Sequence, residues 1–207
     1  MNIFGDLLLQ EEMPVVEQKK LLRKEMFAKR NALDAILKNK YDRWIAEQLQ
    51  RLIAERNYKT VHTYIPMGSE IDIRPVINFM LHSGITVISP KTLPKHQLEN
   101  RILVSLDDLA TGIMGTQHPR EATVYEGLFD LIIVPGLAID VNNYRLGYGG
   151  GYYDTFLAKQ QDAHTVGIYY PFQQVEHVPI ESHDLKLDAV LIPVDSGFVS
   201  SDESFLT

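Results

Sequence analysis

The segment IIVPGLAIDVNNYRLGYGGGYYDTFLA, Ile132 to Ala158, decides how the rest of the chain is read. The run from Leu131 to Val134 is apolar throughout, as a central strand of a parallel sheet covered on both faces should be. The strand ends at Pro135 and Gly136, a loop follows, and Gly147, Gly149, Gly150 and Gly151 lead directly into an amphipathic helix predicted over Tyr152 to Lys159. Neighbouring glycines lose much conformational freedom on ordering, so this loop implies a backbone that takes positive φ or lets something approach closely. A phosphate suits such a loop, because free N–H groups at a helix start favour an anion and Arg145 just upstream carries a fork of donors. A flexible turn is the alternative reading; Arg145, with Asp154 in the first helical turn, favours the phosphate cradle. Two named nucleotide motifs are absent: no glycine is followed by Lys and then Ser or Thr, and counting GxGxxG from Gly147 ends on Tyr152.

Outward from this segment the pattern alternates. Val61 to Ile65, Ile85 to Ile88, Arg101 to Leu106, Leu131 to Val134, Thr165 to Tyr169 and Ala189 to Ile192 are short runs rich in β-branched and aromatic residues, read as strands. Helical spacing marks Arg74 to His82, closed by Gly84, and two helices precede the first strand: Glu17 to Ala32, with Leu21, Leu22, Met26 and Leu33 as its apolar face, and about Asn39 to Asn57, with Ile45, Leu49, Leu52 and Ile53. Ala110 to Glu126 shows no pattern and reads as a long surface connection. Strands alternating with helices predict an α/β fold, a three-layer α/β/α sandwich with a mainly parallel sheet in a single domain over residues 17–207. Residues 1–16 read as an N-terminal extension.

With 207 residues the chain is long enough to bury a core of its own. Its net charge of −7 argues against a phosphate-backbone binder, so no nucleic acid is expected as a partner. The absence of cysteine excludes disulfides, thiolate metal sites and a cysteine nucleophile, and fits a cytoplasmic setting. The N-terminus lacks a basic leader, and the longest apolar stretch falls well short of the roughly 20 residues that span a bilayer, so neither export nor a membrane is expected. The seven histidines show no HxH or HExxH spacing and read as surface or structural groups.

Val134 to Asp140 followed by Tyr144-Arg145-Leu146-Gly147-Tyr148-Gly149-Gly150-Gly151-Tyr152-Tyr153-Asp154 resembles the signature of the 5-formyltetrahydrofolate cyclo-ligases, also called methenyltetrahydrofolate synthetases. The resemblance runs in order from about Gln18 to Pro193. Lys19, Leu22, Arg23 and Arg30 match the family's opening helix, Tyr64 to Asp72 its first strand and following loop, Pro90-Lys91 the end of its second strand, and His183 to Asp188 its closing acidic pattern. It implies an enzyme of folate and one-carbon metabolism that uses ATP and Mg²⁺ to phosphorylate the formyl oxygen of 5-formyltetrahydrofolate. Closure by N10 then gives 5,10-methenyltetrahydrofolate, ADP and phosphate. By the same resemblance Lys19, Arg23 and the run Arg145, Leu146, Gly147, Tyr148, Gly149, Gly150, Gly151, Tyr152 and Tyr153 hold ATP, and Arg145 and Tyr152 act in catalysis. Ile65, Glu70, Tyr148 and Tyr152 contact the folate, and Asp154 and Asp188 hold the magnesium, a hard cation that prefers oxygen ligands. A small-molecule substrate and a monomer or weak homodimer complete the expectation.

Two departures from the family pattern stand out. Leu191 to Val194 is apolar where relatives often carry a polar pair, and positions 148 and 150 are Tyr148 and Gly150 where many relatives carry a second basic residue. For single residues a blander role stays open: Glu70 as a helix-starting charge, Lys91 as a solvated surface group, one of Tyr152 and Tyr153 as packing only, and the basic face of the first helix as a solvated one. Two rival functions also remain, a folate- or nucleotide-binding relative without turnover and another enzyme on the same scaffold, such as a sugar-phosphate isomerase.

Overall fold

Leu131 and Ile133 point to one side of the central sheet and Ile132 and Val134 to the other, all four without solvent exposure. Side chains alternate along a strand, so a segment apolar at every position can only sit between two covered faces. In the computed structural model, which describes residues 13–194, this segment is β6 (Leu131–Val134) in a six-stranded sheet. The order is β11-β9-β6-β1-β2-β3, where β1 is Thr60–His62, β2 Thr86–Leu93, β3 Gln97–Leu103, β9 His164–Ile168 and β11 Ala189–Leu191. Neighbouring strands run parallel except β3, which returns antiparallel to β2 through a hairpin.

One face is covered by α2 (Ala35–Glu55), through Tyr41, Ile45, Leu49 and Ile53, and by α3 (Arg74–His82), through Val76, Ile77 and Met80. On the other face Phe156 and Leu157 of α4 (Tyr152–Leu157) join Ile88, Ile132 and Val134. Burying side chains of this size is worth about 1.5–3 kcal/mol each, so the two apolar layers are the main stabilising term. The expected three-layer α/β/α single domain with a mainly parallel sheet is the architecture found. Among the described residues no helix is long and apolar enough to cross a membrane.

Several expectations are corrected. The first helix, α1 (Val15–Asn31), starts two residues before the expected Glu17; residues 1–12 of the expected extension lie outside the described residues. Its buried positions are Lys19, Met26 and Arg30, while Leu21 is exposed. The helix therefore turns a largely cationic face inward, and Met26 packs with Leu137, Ala138, Leu146 and Val178 on a small second sheet rather than on the main one. That second sheet has the order β10-β7-β8, built from β7 (Ala138–Asp140), β8 (Arg145–Leu146) and β10 (Gln174–Val175). The helix α2 begins four residues before Asn39, because Asp34 caps it by accepting from the N–H groups of Ile36 and Leu37. The segment read as patternless contains a two-stranded ribbon, β4 (Leu109–Thr111) with β5 (Gln117–Pro119).

Candidate active site

Parallel sheets bind ligands beyond the carboxyl ends of their strands, where connecting loops diverge. Here that end carries a cavity of about 540 Å³, within the ordinary range for small-molecule sites. Its floor is formed by Tyr64 and Ile65 after β1, Pro90 on β2 and Pro135 after β6. One wall is the inward face of α1, a second is the glycine segment, and Met114 and Thr116 of the β4–β5 connection line the cavity together with Gln117 at the start of β5.

The glycine segment folds as it does for local reasons. Gly149 has φ 97°, and a Cβ there would stand 3.3 Å from the Arg23 guanidinium carbon, so this position needs both the conformation and the space. Gly151, at φ 63°, sets the left-handed turn that starts α4. The Arg23 Nε donates to the Gly147 carbonyl at 2.9 Å, tying the loop to α1. From the far side, His96 at the tip of the β2–β3 hairpin donates from Nδ1 to the Gly150 carbonyl at 2.5 Å.

Arg145, on β8 and 4% exposed, is the most deeply placed cation of the cavity wall. One terminal nitrogen lies 3.1 Å from the Asp154 carboxylate, yet its Nε and other terminal nitrogen have no hydrogen-bond partner. Buried guanidinium donors are expensive to leave unpaired, so this arrangement is suited to an anion arriving from the cavity. On α1, Lys19 is held by Glu181 at 2.8 Å and Asp184 at 2.6 Å. Burial works to raise the Asp184 carboxyl, but the hydrogen bonds from Lys19 and the Glu181 N–H outweigh it and hold the group below its ordinary value.

Glu70 also lines the cavity, beside the glycine loop. It is buried, accepts the Met67 N–H at 2.9 Å with one oxygen and the Tyr148 hydroxyl with the other, and desolvation keeps its pKa above the ordinary carboxylate value. Tyr153 packs against His62 and Phe156, and the ring of Tyr152 lies 5.8 Å from that of His96; both line the cavity.

The cavity thus brings together Lys19, Arg23, Ile65, Glu70, Asp154 and the whole run from Arg145 to Tyr153. It leaves out Asp188. That carboxylate accepts from the backbone N–H and hydroxyl of Thr165, both at 2.8 Å, at the amino end of β9 and therefore at the opposite end of the sheet. The expected Asp154–Asp188 metal pair is not assembled, and no cluster of three or more metal-ligating side chains occurs among the described residues. Asp184, from the same closing motif, reaches the cavity instead. Lys91 is not among the cavity-lining residues; Pro90 and Thr92, its neighbours on β2, are. Sequence reasoning missed Glu181, Asp184 and His96, although a buried lysine at position 19 would have demanded acidic partners.

Comparison with known proteins gives the family and the fold. The family model described as the 5-formyltetrahydrofolate cyclo-ligase family matches residues 15–193. A probable 5-formyltetrahydrofolate cyclo-ligase of Schizosaccharomyces pombe is 30% identical over 167 residues, covering 72% of this chain and 82% of that protein. The solved structure of an Aquifex aeolicus 5,10-methenyltetrahydrofolate synthetase superimposes with a TM-score of 0.74 at 29% identity, covering 84% of this chain and 89% of the other. A Mycoplasma pneumoniae 5,10-methenyltetrahydrofolate synthetase gives a TM-score of 0.69 at 26% identity, covering 83% and 96%.

Proposed function

The chain belongs to the 5-formyltetrahydrofolate cyclo-ligase family, and from that premise we propose that it closes 5-formyltetrahydrofolate to 5,10-methenyltetrahydrofolate at the expense of ATP, with magnesium, releasing ADP and phosphate. The observation that carries the reading is the buried Arg145 guanidinium with two unpartnered nitrogens, set in one cavity with the glycine loop and with the Glu70 carboxylate. Bound ATP would supply the phosphoryl group that turns the formyl oxygen into a leaving group, and magnesium would offset charge on the phosphates.

Phosphoryl transfer depends mostly on positioning and on stabilising charge, so the chain needs no side-chain nucleophile. In this reading Arg145 holds the transferring phosphoryl and Arg23 a further phosphate, and Lys19 contributes only if a phosphate displaces Glu181 or Asp184 from it. The glycine loop lets backbone N–H groups approach without side chains in the way. Glu70, in the same cavity, offers a carboxylate to the amide and amino edge of a pterin. Tyr152, which lines the cavity directly after the glycine loop, is in this reading a contact for both nucleotide and folate. Magnesium keeps several waters and takes one or two carboxylates beside the nucleotide's oxygens, and Asp154, whose Oδ1 is buried without a hydrogen bond, fits that need alone.

The test is direct. Purified protein mixed with 5-formyltetrahydrofolate, ATP and magnesium should develop the absorbance of the methenyl product, and should not when ATP is omitted. Folate binding without absorbance would favour the non-catalytic relative, and no binding of either compound would favour a different substrate on the same scaffold.

A further inference from the structure

Arg30 lies behind the cavity wall, 6% exposed, and does not line the cavity. Its Nε donates to the Ser69 hydroxyl at 3.1 Å, and one terminal nitrogen donates to the Tyr148 hydroxyl at 2.6 Å. The guanidinium carbon stands 5.4 Å from the ring centres of both Phe27 and Tyr148. Ser69 precedes Glu70 in the loop after β1, and Tyr148 belongs to the glycine loop, so one buried side chain on α1 fastens two loops to each other.

The chain of bonds continues. The Tyr148 hydroxyl receives from Arg30 and donates to Glu70, whose second oxygen takes the Met67 N–H. Ser69, for its part, donates onward to Asn31 at 2.6 Å. A guanidinium presents its donors in a fixed planar fork, so it transmits a displacement of Tyr148 to the 69–70 loop where a flexible ammonium would absorb it. The void lined by Arg30, Tyr64, Glu70 and Tyr148 measures about 10 Å³, room for a single water at most, which leaves these groups little freedom to repack.

Accepting the proposed function, with nucleotide on the glycine loop and pterin at Glu70, we propose that Arg30 is a positioning residue that couples the two binding events. A nucleotide that orders the glycine loop fixes Tyr148, and through the Arg30 fork and the shared hydroxyl it fixes Glu70 and Ser69 in the arrangement that takes the folate. By linkage the folate must strengthen nucleotide binding by the same factor.

The experiment is binding calorimetry on the full chain. The affinity for 5-formyltetrahydrofolate is measured with and without a saturating non-hydrolysable ATP analogue, and the analogue's affinity with and without folate. The wild-type protein should show mutual strengthening of about fivefold or more. In Arg30→Lys and in Ser69→Ala the coupling factor should fall towards one while each ligand alone still binds within about threefold of wild type, a pattern that a loss of general stability does not produce. Ser69 does not line the cavity and Ser69→Ala removes only the hydroxyl that the Arg30 Nε holds, so it decides the matter if Arg30→Lys fails to fold. Undiminished coupling in a folded Ser69→Ala, or wild-type protein that binds both ligands independently, would overturn the inference while leaving the proposed function intact. Failure of the wild-type protein to bind either ligand would overturn the proposed function itself, and the coupling with it.

Discussion

Arg145 and Asp154 face each other across 3.1 Å at the head of the glycine loop, in contact by charge but not joined by a well-formed hydrogen bond. A pair held this loosely can exchange partners cheaply. An anion can take the guanidinium and a cation the carboxylate in the same event, which is the exchange that a magnesium-bound phosphate group would bring.

Arg145→Lys tests the first half. Because Arg145 is buried, truncation to alanine would leave the Asp154 carboxylate without its cation, so the lysine variant is the cleaner probe. It keeps the charge and loses the fork, and kcat should fall about 100-fold, the effect of losing ~3 kcal/mol of preorganised charge stabilisation. Steady-state turnover in a variant shown to be folded by circular dichroism checks this; near-wild-type turnover would contradict the role.

Asp154→Asn tests the second half. The amide keeps the shape and removes the charge, so the magnesium concentration for half-maximal rate should rise while folate affinity stays within a few-fold. A magnesium titration at saturating ATP, alongside folate binding, separates the two. Lost folate binding with an unchanged magnesium requirement would make Asp154 a folate or structural residue.

On α1 the comparison is between neighbours. Arg23 lines the cavity and Lys24 is exposed, so Arg23→Ala should raise the KM for ATP about tenfold or more, the loss of one charge-assisted contact of about 1.5–3 kcal/mol, and Lys24→Ala should do little. Equal and negligible effects would return this face to a purely structural role.

His62 supplies a pH prediction. Enclosed by Phe129, Phe156 and Tyr153, with no well-formed hydrogen bond at either ring nitrogen, it is driven by desolvation, against a weaker opposing pull from the Asn100 side chain, from 6.5 down to about 3 in the folded state. Below pH 6.5 the unfolded chain binds a proton that the folded chain refuses. Stability is therefore fully present above that value and declines by about 1.4 kcal/mol per pH unit as pH falls towards 3. Asp184, held below its ordinary value, adds a further loss at the acid end of that range. Denaturant midpoints for wild type and His62→Phe between pH 7 and 4 should show a shallower decline in the variant; parallel curves would mean the imidazole does not set the slope.

How much of this the residues announced depends on which force dominates locally. The β6 segment was readable because burial on both faces leaves one hydrophobicity pattern, and the glycine loop because positive φ and close approach leave one residue type. The inward face of α1 was misread because Lys19 and Arg30 are buried by partners distant in sequence, Glu181, Asp184, Ser69 and Tyr148, and local periodicity holds no trace of them. Asp188 was misplaced for a related reason. It shares a motif with Asp184, but Asp188 hydrogen-bonds Thr165 at the amino end of β9 while Asp184 reaches Lys19 on α1 at the cavity. The β4–β5 ribbon escaped notice because its strands are three residues long and lack an alternating pattern.

The most direct measurement follows the formyl oxygen. With 5-formyltetrahydrofolate labelled by oxygen-18 in the formyl group, and with ATP and magnesium in ordinary water, one turnover should place the label in the inorganic phosphate released, one labelled oxygen per methenyl product formed. Phosphate free of the label, with product still appearing, would contradict activation of the formyl oxygen by phosphoryl transfer in the cavity beside Arg145.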